Sequence, residues 1–431
     1  MSVKTGVWVR LRVTLVSAIA GFIASGCGGG GGGSSSNTVT SPASTAAQAS
    51  APATNAGLTL DPTLTPLENL GKFIMTDVNL SEPAGTPCVA CHQPGHGFAD
   101  NNGSAIGVAM GSQPGSLGLR NALANAYSSQ SPAFGFTTQN GRTTARGGQF
   151  WDGRVDTLAE QALLPLLNPT EMNNASAQAV INKIAAAPYA SLFLQQFGTS
   201  ALSTPTTAFT QVGLAVQAFE QSAQLQAFTS KFDAVVQGQA SFTALEQQGL
   251  NLFTDRTRAN CASCHTVNPG STNPASSLFT DFTYRDTGVP RNQAIPQNAV
   301  ATFFDLGLCG PQRTAPTLPS NVAPGVTISD FCGQFKVPSL RNVGLRSNFM
   351  HNGFFTDLGQ VVHFYSTRVS NPSLWYGPSG VPNDVPSQYL ANVVTGTPPF
   401  VGHAGLPPLL TAQEEAAIVA FLNTLTDGFT P

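Results

Sequence analysis

The fold of this 431-residue chain is decided by two short runs, Cys88-Val89-Ala90-Cys91-His92 and Cys261-Ala262-Ser263-Cys264-His265. In each run two cysteines stand three positions apart and a histidine follows at once. This is the attachment signature of a c-type haem, because both thiols lie on one helical turn and can add to the vinyl groups of a single porphyrin, whose iron the histidine then ligates. Structural zinc also uses paired cysteines, but each pair here has its own adjacent histidine. The sequence therefore predicts two covalent haems and a redox protein.

The composition excludes one class of function and indicates a loop-rich fold. Charged residues make up 10% of the chain and the net charge is −3, so no basic face for nucleic acid is implied. Glycine (43 residues) and proline (31 residues) are abundant, which is typical of long loops. A haem-packed domain can tolerate such loops, because the porphyrin supplies apolar core volume.

The first 27 residues have the pattern of a bacterial lipoprotein signal peptide. A basic start precedes the apolar residues 13–25, a stretch too short to span a membrane. It ends at Cys27 in a sequence that resembles a lipobox, although an alanine stands where leucine is usual, so an ordinary secretory signal with an incidental cysteine is the alternative. Residues 28–56, rich in glycine, serine and threonine, form a predicted flexible tether. We expect export to the periplasmic side of a bacterial envelope, with a lipid anchor at Cys27 that favours the outer membrane.

Each half of the remaining chain repeats one pattern, in which a helix with an aromatic residue near its end precedes a haem run. The helical periodicity covers residues 67–74 in the first half and residues 245–253 in the second. This duplication predicts two cytochrome-c-like domains with one c-type haem each, residues 57–235 and residues 236–431. No run shows sustained strand alternation, so we expect a mainly α fold with long loops.

Two further helices are predicted. Residues 209–236 show helical periodicity and would close the first domain. Residues 412–425 form the second, which begins after Thr411, and Glu414 stands where it completes a capping box with that threonine.

Two cysteines, Cys309 and Cys332, belong to no paired motif. In an oxidising compartment they can form a disulfide, which would close a loop that contains four prolines. The alternative is two separate buried thiols.

Several stretches outside the haem runs follow one another in a characteristic order: Gln149-Phe150-Trp151-Asp152-Gly153-Arg154, Leu158-Ala159-Glu160-Gln161-Ala162, Asn168-Pro169-Thr170-Glu171-Met172, Phe335-Lys336-Val337-Pro338-Ser339-Leu340-Arg341-Asn342-Val343, Met350-His351-Asn352-Gly353 and Val361-Val362-His363-Phe364-Tyr365. This set resembles the bacterial di-haem cytochrome c peroxidase family, in its MauG-like branch, over residues 57–427. The resemblance implies that hydrogen peroxide reacts at the N-terminal haem and that electrons arrive through the C-terminal haem. The electron donor would be a small cytochrome c, a cupredoxin or a protein substrate, and a homodimer is left open.

The resemblance implies roles for three residues near the N-terminal haem. Gln161 and Glu171 match the family's distal pair, in which a partly buried carboxylate moves a proton between the oxygens of peroxide and an amide holds the peroxide. Trp151 matches the tryptophan between the two haems, where an aromatic ring would shorten electron-transfer steps. The alternatives are that Glu171 caps the turn after Pro169 and that Trp151 is an ordinary core residue.

A calcium site is implied as well. Asn121 matches the side-chain ligand of the family's interdomain calcium, and the backbone oxygens of Arg346 and Asn348 complete the set. Oxygen donors suit a hard cation of this kind. The alternative is that Asn121 is a turn residue.

The sequence departs from the family in the loop after the first haem run. Family members that need reductive activation carry a histidine there, which blocks the iron, but no histidine lies between His96 and His265. Val108 or Gln113 occupies the expected position, depending on how the loop is aligned. His96 is too near the haem run to reach across the porphyrin, and Met110 is an alternative soft ligand. We therefore expect the N-terminal iron to be five-coordinate and open to peroxide without prior activation.

The C-terminal haem also has a distinctive ligand position. Tyr365 stands where the classical peroxidases have methionine, as in the MauG-like members. A phenolate stabilises ferric iron, whereas methionine raises the reduction potential. Met350 is the other candidate ligand, and a core aromatic is the alternative for Tyr365. The resemblance predicts a peroxidase, with peroxide-dependent oxidation of a protein substrate or a non-catalytic di-haem electron carrier as alternatives.

Overall fold

The fold is mainly helical, as the sequence predicts. The structure is a computed structural model that describes residues 58–431, so the predicted signal peptide, Cys27 and the tether lie outside the described residues. Eleven α-helices lie in the described part, α1 to α11: Pro66–Thr76, Cys88–Cys91, Leu158–Leu167, Ala177–Ala186, Ala190–Phe197, Pro205–Glu220, Lys231–Val236, Ala244–Thr254, Leu358–Thr367, Ser373–Tyr376 and Ala412–Asn423. None of these helices is long and apolar enough to cross a membrane.

Short 3₁₀ helices and strands occupy parts of the long loops. The 3₁₀ helices are Val78–Leu80, Pro94–His96, Ser128–Gln130, Ala201–Ser203, Cys261–Ser263, Pro274–Ser276, Pro296–Ala299, Ile328–Phe331, Val343–Leu345, Gly377–Ser379 and Ser387–Asn392. The strands, β1 to β4, are Gly135–Gln139, Arg142–Arg146, Tyr284–Arg285 and Phe335–Lys336. They form two antiparallel pairs, β1 with β2 and β3 with β4.

The first hydrophobic core is built from α1 and α3 to α6. A capping box starts α1, because the Thr65 side chain accepts from the Glu68 N–H and the Glu68 carboxylate accepts from the Thr65 N–H. Leu70 on the same helix is completely buried in this core. Gly71 lets α1 and α6 approach closely, since a Cβ at this position would lie 2.0 Å from the Ala215 carbonyl oxygen. Cys88 packs against the edge of this core, which positions the first haem run.

The second core repeats this construction with α8 and α11. Thr243 and Glu246 form the same capping box at the start of α8. A Cβ at Gly249 would lie 2.0 Å from the Ala417 carbonyl oxygen, so a glycine again permits the helix contact. Both cores belong to one compact unit, and the division into domains at residues 235 and 236 stays a prediction.

The helix predicted over residues 209–236 is wrong, because the structure has two helices there. α6 ends at Glu220, and Ser230 then caps a new helix, α7, by accepting from the Asp233 N–H. α7 packs in the second core rather than the first. The reason is a buried ion pair, in which Asp233 Oδ1 lies 2.9 Å from Nη2 of Arg341.

The helix predicted over residues 412–425 is α11. Thr411 and Glu414 form the predicted capping box. The helix ends at Asn423, before the predicted end, because the Thr424 N–H closes a tighter turn by donating to Phe421 O at 2.9 Å.

A β-hairpin and a disulfide form a small third core. Cys309 and Cys332 are joined in a disulfide, so the alternative of two separate thiols is wrong. The flanking Leu308 packs with Ala145 of β2. The hairpin was not predicted from the sequence, because β1 and β2 carry threonines on both faces and these conceal the strand alternation.

Candidate functional site

Two cavities lie beside the two haem runs. The first cavity is lined by Cys88, Cys91 and His92, and the second by Cys261, Cys264 and His265. The space free of protein atoms is about 1580 Å³ in the first and about 1560 Å³ in the second, solvent at the mouths included. Burial in apolar surroundings raises the pKa of the Cys88, Cys91 and Cys261 thiols to about 12. Each cavity is large and apolar enough for a porphyrin, and the residues present fit a c-type haem.

Each haem run forms a single helical turn. The first turn is the α-helix Cys88–Cys91, and the second is the 3₁₀ helix Cys261–Ser263. The histidine N–H closes the turn in both, since His92 donates to Cys88 O at 3.0 Å and His265 donates to Cys261 O at 2.9 Å. Both thiols of a run therefore line the same cavity as the histidine that follows them.

A backbone carbonyl orients each of these histidines. Nδ1 of His92 lies 3.2 Å from Phe98 O, and Nδ1 of His265 lies 2.9 Å from Phe279 O. Because a carbonyl only accepts, Nδ1 carries the proton and Nε2 is left as the metal-binding nitrogen. Burial lowers the pKa of both imidazoles, which keeps them in the neutral form that ligates iron.

Gln161 and Glu171 line the first cavity together. Gln161 lies on α3, and Glu171 lies in the turn that follows this helix. Asn168 caps this turn, since its Oδ1 accepts from the Thr170 N–H at 3.0 Å, and its Nδ2 donates to Glu171 Oε1 at 2.7 Å. Burial raises the pKa of Glu171, against the charge of Arg154 and the hydrogen bond from Asn168. The Glu171 carboxyl is therefore protonated to a higher pH than an ordinary glutamate.

The two cavities are separated by a shared wall. We use this name for the residues in the described part that line both cavities: Asn121, Ala122, Leu123, Trp151, Lys336, Val337, Pro338 and Arg346. Trp151 is buried there, and its Nε1–H donates to Asn121 O at 2.7 Å. Its backbone oxygen accepts from the Lys336 N–H at 2.8 Å. These bonds hold one indole ring against both cavities.

Both candidates for the sixth ligand of the C-terminal haem line the second cavity. Tyr365 lies on α9 and Met350 in the loop before it. Burial raises the pKa of the Tyr365 phenol well above its usual range, so the phenol keeps its proton unless a metal ion replaces it. His351 lines the same cavity, but its Nε2 lies 2.9 Å from Asp384 Oδ2 and its ring stacks on Phe335.

Comparison with known proteins identifies the family. A family model described as di-haem cytochrome c peroxidase matches residues 65–241. The chain is also 34% identical over 373 residues to the methylamine utilization protein MauG of Paracoccus denitrificans, covering 84% of this chain and 88% of that protein. The chain belongs to the MauG-like di-haem cytochrome c peroxidase family.

Other members of this family are similar over most of the chain. The cytochrome c551 peroxidase of Nitrosomonas europaea is 29% identical over 301 residues, which covers 69% of this chain and 71% of that protein. The crystal structure of the diheme peroxidase BthA from Burkholderia thailandensis matches with a TM-score of 0.78 and 39% identity, covering 88% of this chain and 89% of that chain. The family implies two c-type haems, for which the two cavities provide space and ligands.

The first cavity has no second histidine in the part of the chain that the structure describes. His96 does not line it, and its Nδ1 lies 3.1 Å from Asp100 Oδ2 instead. Val108 and Gln113 do not line the cavity either, whereas Met110 does. Of the four candidates for a second ligand of the N-terminal iron, only Met110 lines the first cavity.

The residues predicted to bind calcium lie together, but the side chain of Asn121 is engaged with protein groups. Its Nδ2 donates to the carbonyl oxygens of Asn348 (3.1 Å) and Met350 (3.2 Å). Arg346 is one of the residues of the shared wall. Among residues 58–431 no cluster of three or more acidic, histidine or cysteine side chains could hold a metal. Calcium stays a prediction from the family resemblance.

Two residues of the first cavity had no predicted role. Arg154 lies over the Phe150 ring, 3.4 Å from its centroid, and its Nη1 donates to Asp152 Oδ1 at 3.1 Å. The same nitrogen donates to Gln312 Oε1 at 3.3 Å. Arg154 stands in one of the recognised motifs, so the sequence could have suggested it. Gln312 lies in the disulfide-closed loop, far along the chain, and no local pattern marks it.

Proposed function

We propose that this protein is a di-haem peroxidase that reduces hydrogen peroxide in the first cavity with electrons delivered through the second. The observation that carries the proposal is the lining of the first cavity, where Gln161 and Glu171 face a space that no histidine besides His92 enters from the described residues. A buried carboxylate and an amide beside an accessible reaction site are what peroxide cleavage requires.

Each of these residues of the first cavity would have its own role in the reaction. A c-type haem on Cys88 and Cys91 would supply an iron that reacts with peroxide and exchanges electrons. The Glu171 carboxylate would take a proton from one oxygen of hydrogen peroxide and return it to the other, which becomes water. The Gln161 amide would hold the peroxide and stabilise the developing charge. Asn168 supports Glu171, because its amide holds Oε1.

The second cavity would be the electron entry. We infer that Cys261 and Cys264 attach the second haem, that His265 ligates it, and that Tyr365 is the sixth ligand, with Met350 as the alternative. Trp151 would shorten the electron path, since its ring borders both cavities. A small cytochrome c or a cupredoxin would be the donor.

A second candidate function is peroxide-dependent oxidation of a protein substrate. It is favoured by the Tyr365 position and by the similarity to the methylamine utilization protein MauG. In this case the second cavity would accept electrons from a side chain of a docked protein instead of a small redox carrier. The two functions differ only in the donor, so steady-state turnover with reduced cytochrome c or cupredoxin separates them.

The experiment that tests the proposal is rapid mixing of the diferric holoprotein with hydrogen peroxide, without prior reduction. We expect a fast absorbance change at one haem and its reversal when a reduced donor is added. The Glu82→Gln variant is the control, because the Glu82 side chain is exposed, pairs with Lys183 and lines neither cavity. No fast change would overturn the peroxidase and leave a di-haem electron carrier.

We also propose that the chain is lipid-anchored on the periplasmic side of the envelope, on the sequence pattern that ends at Cys27. Export is consistent with the disulfide between Cys309 and Cys332, which needs an oxidising compartment. Cys27→Ser should release the holoprotein from the membrane fraction into the soluble periplasm. A substituted protein that stays with the membrane would contradict the anchor.

A further inference from the structure

The shared wall contains two cations that no carboxylate neutralises. Lys336 and Arg346 are the only charged side chains in the described part of the chain that line both cavities. No carboxylate of residues 58–431 lies within ion-pair distance of either side chain. Lys336 is buried, and an unpaired charge away from water is costly, so its charge must be stabilised in some other way.

Lys336 is held by a single neutral acceptor. It ends β4, its side chain is 7% exposed, and its Nζ donates to Gly148 O at 2.7 Å. Burial lowers the pKa of this amine to about 7, against the charge of Asp152. Two of the three ammonium donors have no protein acceptor in the described residues, so they are available to a group in the cavities.

Arg346 also has an unused hydrogen-bond donor and no carboxylate partner among the described residues. Its Nη2 donates to Ser339 O (3.0 Å) and Arg341 O (3.2 Å), both of which are neutral carbonyls. Its Nε is buried and has no acceptor among the described residues. Burial lowers the pKa of this guanidinium to about 10.

Two buried arginines of the same protein are neutralised by carboxylates. Arg120 donates to Asp305 at 2.6 and 2.8 Å and to Asp152 at 2.7 Å. Arg341 makes two bonds of 2.9 Å to Asp233.

Arg291 and Arg368 are also buried, bind backbone carbonyls and have no carboxylate partner in the described part of the chain, but neither lines either cavity. Lys336 and Arg346 differ from them because their unused donors border both cavities, so there they point to an anion that is not part of the chain.

We propose that Lys336 and Arg346 bind propionate carboxylates of the haems in both cavities, so that one pair of cations serves two haems. The inference rests on the proposed placement of one haem beside each run. Haem propionates are carboxylates, and a carboxylate is the partner that both side chains lack. In an apolar site a propionate needs hydrogen-bond donors that no protein acceptor already uses. Because reduction adds negative charge at the iron, a cation in the shared wall favours the reduced state of both haems.

The test is a spectroelectrochemical titration of the purified di-haem protein, with haem content measured on the same samples. Lys336→Gln and Arg346→Gln should each lower the reduction potential of both haems. Lys336→Arg and Arg346→Lys should keep both potentials near those of the unsubstituted protein. Lys336→Met is a second charge-removing variant that keeps the apolar stem and relieves the burial of a charge, so it should fold.

A matched control removes a positive charge elsewhere. Arg142→Gln changes an exposed residue of β2 that lines neither cavity, so both potentials should be unchanged. A shift in the reduction potential of only one haem in the Lys336 and Arg346 variants, or no shift, would overturn the proposal that this pair of cations serves both haems. No peroxide is used, so a protein with shifted potentials that does not react with peroxide would refute the proposed function and leave this inference intact.

Discussion

The two halves of this protein share a scaffold and differ in the side chains that line each cavity. Gly71 against Ala215 and Gly249 against Ala417 make the same helix contact, with a Cβ position 2.0 Å from a carbonyl oxygen in both. Each half then presents one Cys-x-x-Cys-His turn to its cavity. The first cavity is lined by the carboxyl of Glu171 and the amide of Gln161, and the second by Tyr365 and Met350. The repeated scaffold therefore accounts for two similar cavities, and the residues that differ between them are those to which we assign the chemistry.

The largest expected difference between the cavities concerns proton transfer. Glu171→Gln removes the proton relay but keeps the size of the side chain, and the rate constant for reaction with hydrogen peroxide should fall about 10²- to 10⁴-fold. Tyr365→Phe, in the other cavity, should leave this rate constant within a few-fold of the unsubstituted protein. Stopped-flow mixing measures both. Equal losses of this rate constant in the two variants would contradict the proposal that only the first cavity reacts with peroxide.

The second largest expected difference between the cavities concerns the disulfide-closed loop. Cys309→Ser with Cys332→Ser should reduce the free energy of unfolding by about 2–4 kcal/mol, because the unfolded chain gains freedom. The loop reaches only the first cavity, through Gln312. The double variant should therefore weaken azide binding at the first haem and leave the spectrum of the second unchanged. Chemical denaturation and azide titration measure the two effects, and a change confined to the second haem would contradict this assignment.

The repeated helix contact predicts equal effects in the two halves. Gly71→Ala and Gly249→Ala each force a methyl group against a backbone carbonyl, and each should cost about 1–3 kcal/mol of unfolding free energy. Gly270→Ala is the control, since the nearest atom to its added Cβ lies at 3.8 Å. Denaturant titration of the holoprotein checks all three. A large loss in only one half would show that the scaffold is not equivalent.

The smallest expected effect is a shift in pH dependence. Burial raises the pKa of Glu171, so the rate of the peroxide reaction should fall as the pH drops through a value above the ordinary glutamate range. Arg154 opposes that shift, and Arg154→Gln should move this fall to still higher pH. Glu171→Gln should abolish it. An unchanged profile in Arg154→Gln would show that Arg154 does not influence the pKa of Glu171.

Local patterns predicted much of this fold and part of the site. The haem runs and the Thr411 capping box depend on residues a few positions apart, so they were readable from the sequence. The break before α7 was missed, because Asp233 pairs with Arg341 across a long stretch of chain. The roles of Gln312 and Lys336 were missed for the same reason, since the first enters the cavity from a distant loop and the second is distinctive only because it has no anionic partner in the described structure.

The main contrast between the two halves is that we expect the first iron to be open and the second to be closed by a protein ligand. An electron paramagnetic resonance spectrum of the resting diferric holoprotein tests this claim directly. We expect one high-spin signal from the haem ligated by His92 and one low-spin signal from the haem ligated by His265. Two low-spin signals, with six ligands on each iron, would contradict it.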